Sequence, residues 1–252
     1  METDVNLKSM RWRLARYVLA RVMRRAAHRV LSIQTLEDRH GNPERWLRAE
    51  IDQYFVEVEA ELSLLRPLAE LEKLPTFGNQ MMVEMALYTA AADRVLRAAG
   101  VPDALAHQII ADLGWDVYSR MILLVSAPFR LLTRNPGRRL RWSVRTLLWF
   151  PFSASQAPGY AVTTTRDGED FLTHFTHCPP QTCARQIAKK TNDPEVLETF
   201  RQSWCTYDWP GADLIAGDAA RGHYRRTKTL SHGDAVCDMC WKARAAAQSK
   251  VG

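Results

Sequence analysis

The sequence predicts an α+β protein in which an N-terminal bundle of four or five helices packs on a small, mainly antiparallel C-terminal sheet. Apolar residues recur at helical spacing from the N-terminus to about residue 150. From about residue 155 the chain changes to runs of β-branched residues separated by turn signals, with helices between them. We therefore divide the 252 residues into a helical region, 1–154, and an α+β region, 155–252, which carries all five cysteines.

The helical region contains five predicted helices. Residues 8–31 form a basic amphipathic helix, and we expect its apolar face to dock on the core of the protein. Asn42-Pro43 offers a capping side chain and a proline where the second helix would begin, ahead of an apolar stripe that ends near Pro67. The other three helices are expected at 79–99, 102–126 and 138–150, and they end before Gly100, Pro128 and Pro151.

A β-hairpin opens the second region. Residues 160–165 and 171–178 read as strands, and Asp167-Gly168 between them is a hairpin turn signal. Two helices are expected next, at 181–190 and 194–207. They are followed by two more strands, at 223–230 and 235–242.

The net charge of +6 is distributed unevenly along the chain. Residues 5–34 contain eight basic side chains and residues 117–166 contain eight arginines, and neither segment contains an acidic residue. Such blocks attract nucleic acid, anionic lipid or an acidic small molecule. We favour a small anionic substrate over nucleic acid, because the net charge is the only evidence for a nucleic-acid partner. The composition of the helix at 8–31 is compatible with peripheral membrane contact.

The cysteine count and the opening residues predict a cytoplasmic protein. Five cysteines cannot all form intrachain disulfides. The opening METDVNLK is acidic and is followed by an arginine-rich helix, which does not resemble a secretory signal peptide. The longest uncharged run, 146–165, contains two prolines and a glycine and would span a bilayer poorly.

The cysteines are the most obvious candidates for chemistry. Cys237-x2-Cys240, with Cys178 and Cys183, suggests zinc, but the pair lies within a predicted strand, where side chains three apart face opposite ways. Zinc is therefore not favoured, and no organic cofactor is expected. A nucleophilic cysteine beside a histidine or an arginine is one alternative, and a small buried side chain is the other. The motifs of P-loop, zincin and serine-hydrolase enzymes are absent from the sequence.

Residues 170–242 carry a series of short elements whose order and spacing resemble a known family. These elements are Cys178 closing a strand, Cys205-x2-Asp208 near the end of a helix, the run 226–230 (RTKTL), and Gly233-Asp234-x2-Cys237-Asp238. Together they resemble the L-2-amino-thiazoline-4-carboxylic acid hydrolases. The helical first half carries no motif of that family, and Cys240-Trp241 departs from its pattern, which puts the identity of the substrate in question.

The resemblance implies a hydrolase that opens a small, carboxylate-bearing cyclic amidine by adding water to the ring carbon between sulfur and nitrogen. In that interpretation Asp208 or Asp238 supplies the acid, and Cys237, Cys205 or Cys178 lies at the reacting carbon. The substrate-binding residues would be Arg226, which is suited to grip the carboxylate, Thr227 and His232. Two alternatives stay open: a metal- or ligand-binding sensor module without turnover, and a peripheral membrane or adaptor protein that uses the N-terminal helix.

Overall fold

The computed structural model describes residues 10–37, 43–153 and 156–245. Within these residues it contains eight α-helices and a four-stranded antiparallel sheet, so the predicted α+β class, with helices first and the sheet last, is confirmed. The chain divides into two compact units. Unit 1 comprises residues 1–117 and 180–204, and unit 2 comprises residues 118–179 and 205–252.

The helices are, in chain order, α1 Met10–Leu31, α2 Arg48–Leu65, α3 Phe77–Ala98, α4 Asp103–Leu132, α5 Pro136–Trp149, α6 Pro179–Thr191, α7 Glu195–Gln202 and α8 Asp208–Ala216. The strands are β1 Thr35–Glu37, β2 Pro43–Arg45, β3 Ala161–Asp167, β4 Asp170–His177, β5 Tyr224–Arg225 and β6 Cys237–Trp241. None of the helices in the described ranges is long and apolar enough to cross a membrane.

Unit 1 is built around α1, α2 and α3. The apolar face of α1 is buried through Trp12, Leu19 and Leu31, which confirms that this helix docks on its own core. One exposed arginine of this helix, Arg24, pairs with Asp52 of α2 at 2.8 Å. Burial of one face and ion pairing on the other together fix α1 against unit 1.

Two predicted helix boundaries were wrong. Pro43 does not begin a helix but lies in β2, and α2 begins at Arg48, where the Glu50 carboxylate accepts the Leu47 N–H at 2.6 Å. Helix α4 does not end before Pro128 but continues to Leu132. A proline inside a helix removes one backbone hydrogen bond, but the turn after Pro128 is held by the Phe129 ring, 5.9 Å from that of Trp142, and by Arg130, which donates to the Leu214 carbonyl oxygen.

Unit 2 holds the sheet, whose strand order is β3-β4-β6-β5, and every pair in it is antiparallel. The predicted hairpin is confirmed, because β3 and β4 are joined through Gly168, which has a φ of 58°. The strand expected at 223–230 is reduced to the two residues of β5. After Arg225 the chain leaves the ladder because the Asp238 side chain takes the amides of Thr227 and Lys228.

The region between α6 and β5 differs most from the prediction. A single helix was expected at 194–207, but α7 ends at Gln202 and a separate helix, α8, begins at Asp208. Asp208 therefore starts a helix, whereas the sequence placed it near the end of one. Helix α8 stops at Gly217, which has a φ of 61°, and the Arg139 guanidinium donates to the carbonyl oxygen of Ala216 at 2.6 Å.

Candidate functional site

Four of the residues singled out in the sequence come together in unit 2, around the first turn of α8. Asp208 is the first residue of α8, and Cys205 lies in the turn before it. Arg226 directly follows β5, and Cys237 is the first residue of β6. Strand β5 pairs antiparallel with β6, and α8 packs on β5. Arg226 and Cys237 are therefore brought beside the start of α8. We call these four residues the α8 cluster.

The carboxylate of Asp208 lies at the centre of the α8 cluster, and its side chain is only 16% exposed. The Tyr118 hydroxyl donates to its Oδ1 at 3.5 Å, while Tyr224 Oη and Arg226 Nη1 reach its Oδ2 at 3.3 and 3.4 Å. Burial raises the pKa of Asp208, and the guanidinium and the two hydroxyls only partly offset that effect. The neutral acid is therefore easier to form here than in water.

The Arg226 side chain is buried, with 4% of its surface exposed. Its guanidinium lies 4.7 Å from the centre of the Trp209 ring, and its Nη2 donates to the carbonyl oxygen of Cys205. Its Nε is also buried but has no hydrogen-bond partner among the described residues. A buried donor without an acceptor is costly, so this side of Arg226 is suited to an oxygen atom of a ligand.

The two thiols of the α8 cluster are protonated at neutral pH. Burial raises the pKa of Cys205 to about 11, although its Sγ lies 3.2 Å from Ser231 Oγ. Burial also raises the pKa of Cys237, whose Sγ accepts the Leu230 N–H at 3.2 Å. Since the thiolate is the nucleophilic form, either cysteine could attack a carbon atom only after losing its proton to a base.

Cys178 lies at the border of this cluster. It directly follows β4 and is half-buried. The buried hydroxyl of Tyr160 lies within electrostatic range of both Cys178 and Asp208, and burial, with a smaller effect of these two groups, raises the pKa of Tyr160 well above its usual value. Cys178 and Asp208 thus share Tyr160 as a neighbour within electrostatic range.

Asp238, Thr227 and His232 are not part of the α8 cluster. Asp238 follows Cys237 in β6 and so faces the opposite side of the strand. Its carboxylate accepts the Thr227 and Lys228 amides at 2.8 and 2.6 Å and also the Thr227 hydroxyl. Burial raises its pKa, but these hydrogen bonds outweigh burial and the pKa is lowered. Thr227 and His232 are exposed. Asp238 therefore orders the segment that positions Arg226.

The two cysteines of the Cys237-x2-Cys240 pair face different surroundings, as the alternation along a strand predicts. Cys237 faces the α8 cluster, whereas Cys240 Sγ lies 4.0 Å from the Asp170 carboxylate. In the part of the chain that the structure describes, no group of three or more histidine, cysteine, aspartate or glutamate side chains is arranged to hold a metal ion.

Several residues of the site were not singled out from the sequence. Tyr118 reaches Asp208 because Gly211 leaves room for its ring: a Cβ at Gly211 would lie 2.9 Å from Tyr118 Cε1. Tyr224 and Trp209 pack edge to face, with ring centres 4.8 Å apart. The run Asp208-Trp209-Pro210 was a usable signal, since an acidic residue and a proline are typical of the first turn of a helix.

Comparison with family models, with curated proteins and with solved structures gives no match. The resemblance to the L-2-amino-thiazoline-4-carboxylic acid hydrolases therefore rests on the residues of this sequence alone.

Proposed function

We propose that the α8 cluster binds a small, carboxylate-bearing cyclic amidine of the 2-amino-thiazoline-4-carboxylate type and opens its ring by adding water. The observation that carries the proposal is the buried pair of Asp208 and Arg226, with an Arg226 Nε that lacks an acceptor and two thiols alongside. An acid whose pKa burial raises and an arginine suited to an anion are the two groups that this reaction needs.

Arg226 would hold the substrate carboxylate. Its Nη2 and Nη1 each give one N–H to the Cys205 carbonyl oxygen and to Asp208, and the buried Nε–H is the donor without an acceptor among the described residues, so we assign Nε to the ligand. The ring of Trp209 beneath the guanidinium fixes its plane. A charge-assisted hydrogen bond from a fixed, buried donor orients the substrate as well as binding it.

Asp208 would move the protons. As the neutral acid it gives its proton to the ring nitrogen, which makes the carbon between nitrogen and sulfur electrophilic. The oxygen of a water molecule bonds to that carbon, and the Asp208 carboxylate takes a proton from this water. A C–S or C–N bond of the ring then breaks, the new C–OH becomes C=O, and the leaving sulfur or nitrogen takes the proton that Asp208 relays.

The thiols of Cys205 and Cys237 would line the site next to the reacting carbon. Their raised pKa values favour water over a thiolate as the attacking group. All five cysteines of the chain are free thiols, which agrees with our proposal that the protein works in the reducing cytoplasm.

The proposal is tested by turnover of 2-amino-thiazoline-4-carboxylate and related cyclic amidines. We expect wild type to open at least one such ring, Arg226→Lys to raise KM because a lysine lacks the Nε–H, and Cys237→Ala to reduce turnover. Cys240→Ala is the matched control, since that thiol faces away from the α8 cluster. Folded wild type that turns over none of these rings would refute the proposed substrate class.

A second candidate function is binding of the same kind of carboxylate-bearing ligand without turnover. The Arg226 guanidinium on the Trp209 ring, with its Nε–H free of an acceptor among the described residues, would hold such a carboxylate whether or not a reaction follows. In that case the cyclic amidine binds to wild type in calorimetry, Arg226→Lys weakens it, and no product forms.

A further inference from the structure

Unit 1 contains a cleft along α1 and α2 with a volume of about 930 Å³. That volume is within the range of sites that hold a small molecule. Its walls carry an unusual number of guanidinium groups, which belong to six arginines: Arg16, Arg21, Arg24, Arg25, Arg48 and Arg66. The cleft lies wholly within unit 1, whereas the α8 cluster belongs to unit 2.

Three of these six arginines are neutralised by carboxylates. Arg16 and Arg66 lie 3.2 and 2.8 Å from the buried Glu84, and Arg24 lies 2.8 Å from Asp52. Of the two carboxylates in the cleft wall, Asp52 is thus engaged by Arg24, and Glu59 lies 4.0 Å from Arg66 and accepts the Tyr88 hydroxyl. Asp52 also lies 2.7 Å from His28 Nε2, and its hydrogen bonds with Arg24 and His28 lower its pKa.

The other three, Arg21, Arg25 and Arg48, make no ion pair with any carboxylate whose side chain the structure describes. Arg21 and Arg25 are four residues apart and so share one face of α1, while Arg48 is the first residue of α2. A second cavity of about 440 Å³ also has Arg25, His28 and Arg48 in its wall. Arg25 and Arg48 therefore lie where the two cavities meet, and the groove continues past them along α1.

Aromatic side chains form the apolar part of the cleft. The rings of Phe55 and Tyr88 are stacked with their centres 6.3 Å apart. Tyr17 also lines the cleft, and the Arg21 guanidinium lies 5.3 Å from its ring centre. A ligand with a flat ring next to its charged groups would find both kinds of contact here.

We propose that this cleft binds the polyphosphate group of a small molecule. Three guanidinium groups without a carboxylate partner among the side chains that the structure describes match a ligand with several negative charges better than one with a single carboxylate. Arginine also forms paired hydrogen bonds with phosphate oxygens, which favours phosphate over a diffuse anion. Because the first residue of α2 lies at the groove, the positive end of that helix dipole adds to the attraction.

The test is calorimetric titration of the full chain with inorganic triphosphate and, separately, with ATP. The double variant Arg25→Gln/Arg48→Gln removes the two arginines shared by both cavities, and we expect it to weaken triphosphate binding by roughly 100-fold, about tenfold for each charged contact. The matched control is Arg134→Gln/Arg138→Gln, which removes the same charge from two exposed positions of unit 2. It should leave the affinity unchanged.

Tighter binding of ATP than of triphosphate would support a contribution of the aromatic wall to the same site. Wild type that binds neither probe would overturn the proposal, and so would an equal loss of affinity in the two double variants, since that would show attraction by net charge alone. Binding to vesicles of phosphatidylcholine with phosphatidylinositol bisphosphate, without affinity for triphosphate, would also overturn it and would assign the cleft to a membrane surface. Arg25 and Arg48 are exposed, so the variants should unfold at the wild-type denaturant midpoint.

Discussion

Replacing Gly211 with alanine changes the free energy of unfolding through two effects of opposite sign. Alanine in place of glycine inside an exposed helix stabilises it by about 1 kcal/mol. At Gly211, however, the new Cβ would lie 2.9 Å from Tyr118 Cε1 and 3.3 Å from its hydroxyl oxygen. The ring cannot move away freely, because it packs on Tyr207 with the ring centres 5.4 Å apart.

Crowding of this kind costs about 1–3 kcal/mol. Taking about 2 kcal/mol for the displaced ring and subtracting the helix contribution, we expect Gly211→Ala to lower the free energy of unfolding by about 1 kcal/mol. The same shift should lengthen the Tyr118–Asp208 hydrogen bond, which is already 3.5 Å.

Urea denaturation followed by circular dichroism measures this change. The control is Tyr118→Leu, which removes the ring: in that background the alanine should stabilise the protein, so that the two substitutions are coupled by about 2 kcal/mol. If Gly211→Ala instead stabilises the wild-type background by the full helix contribution, the Tyr118 ring does not lie against α8 and the geometry of the site is wrong.

The remaining predictions concern titration of the site. The pKa of Asp208 in the folded protein is above its unfolded value near 3.9, so at pH values between these two pKa values the native state binds more protons than the unfolded state. The free energy of unfolding of wild type should therefore fall as pH rises through that interval. Asp208→Asn should lack this fall in urea melts from pH 4 to 7, and parallel curves would contradict the assignment. Asp238 behaves in the opposite sense: its lowered pKa stabilises the fold above pH 4, so Asp238→Asn should cost about 1 kcal/mol at pH 7 and progressively less as pH falls below 4. Cys205, with a pKa of about 11, should react with iodoacetamide at pH 7 roughly 100-fold more slowly than the same thiol in the urea-unfolded chain, as followed by peptide mass spectrometry. An equal rate would show that its thiol is not buried.

Local patterns predicted most of the helices and the hairpin of this fold. The apolar stripe of α2 and the Asp167-Gly168 turn each act within a few residues, so the sequence shows them directly. The short β5 could not be foreseen, because the strand is cut off by the Asp238 side chain, which lies eleven residues from Thr227. Side-chain hydrogen bonds that compete with a ladder depend on tertiary structure and leave no periodic signal.

The candidate site was predictable in its residue types but not in its surroundings. Asp208 and Asp238 both stand close to a cysteine in the sequence, and their surroundings distinguish them: burial dominates at Asp208 and raises its pKa, whereas hydrogen bonds outweigh burial at Asp238 and lower its pKa. Tyr118, ninety residues before Asp208, reaches it through the room left at Gly211. Contacts at such separation are set by packing and cannot be read from spacing.

The most direct test of the proposed acid compares the turnover of 2-amino-thiazoline-4-carboxylate by Asp208→Asn and Asp238→Asn, two folded variants that each lose one carboxylate. Asp208 pairs with Arg226 and lies within electrostatic range of both thiols, whereas Asp238 orders the neighbouring segment. We predict that Asp208→Asn reduces turnover roughly 100-fold or more, and that Asp238→Asn retains most of the wild-type turnover. Turnover that survives in Asp208→Asn and disappears in Asp238→Asn would contradict the assignment of the α8 cluster as the active site.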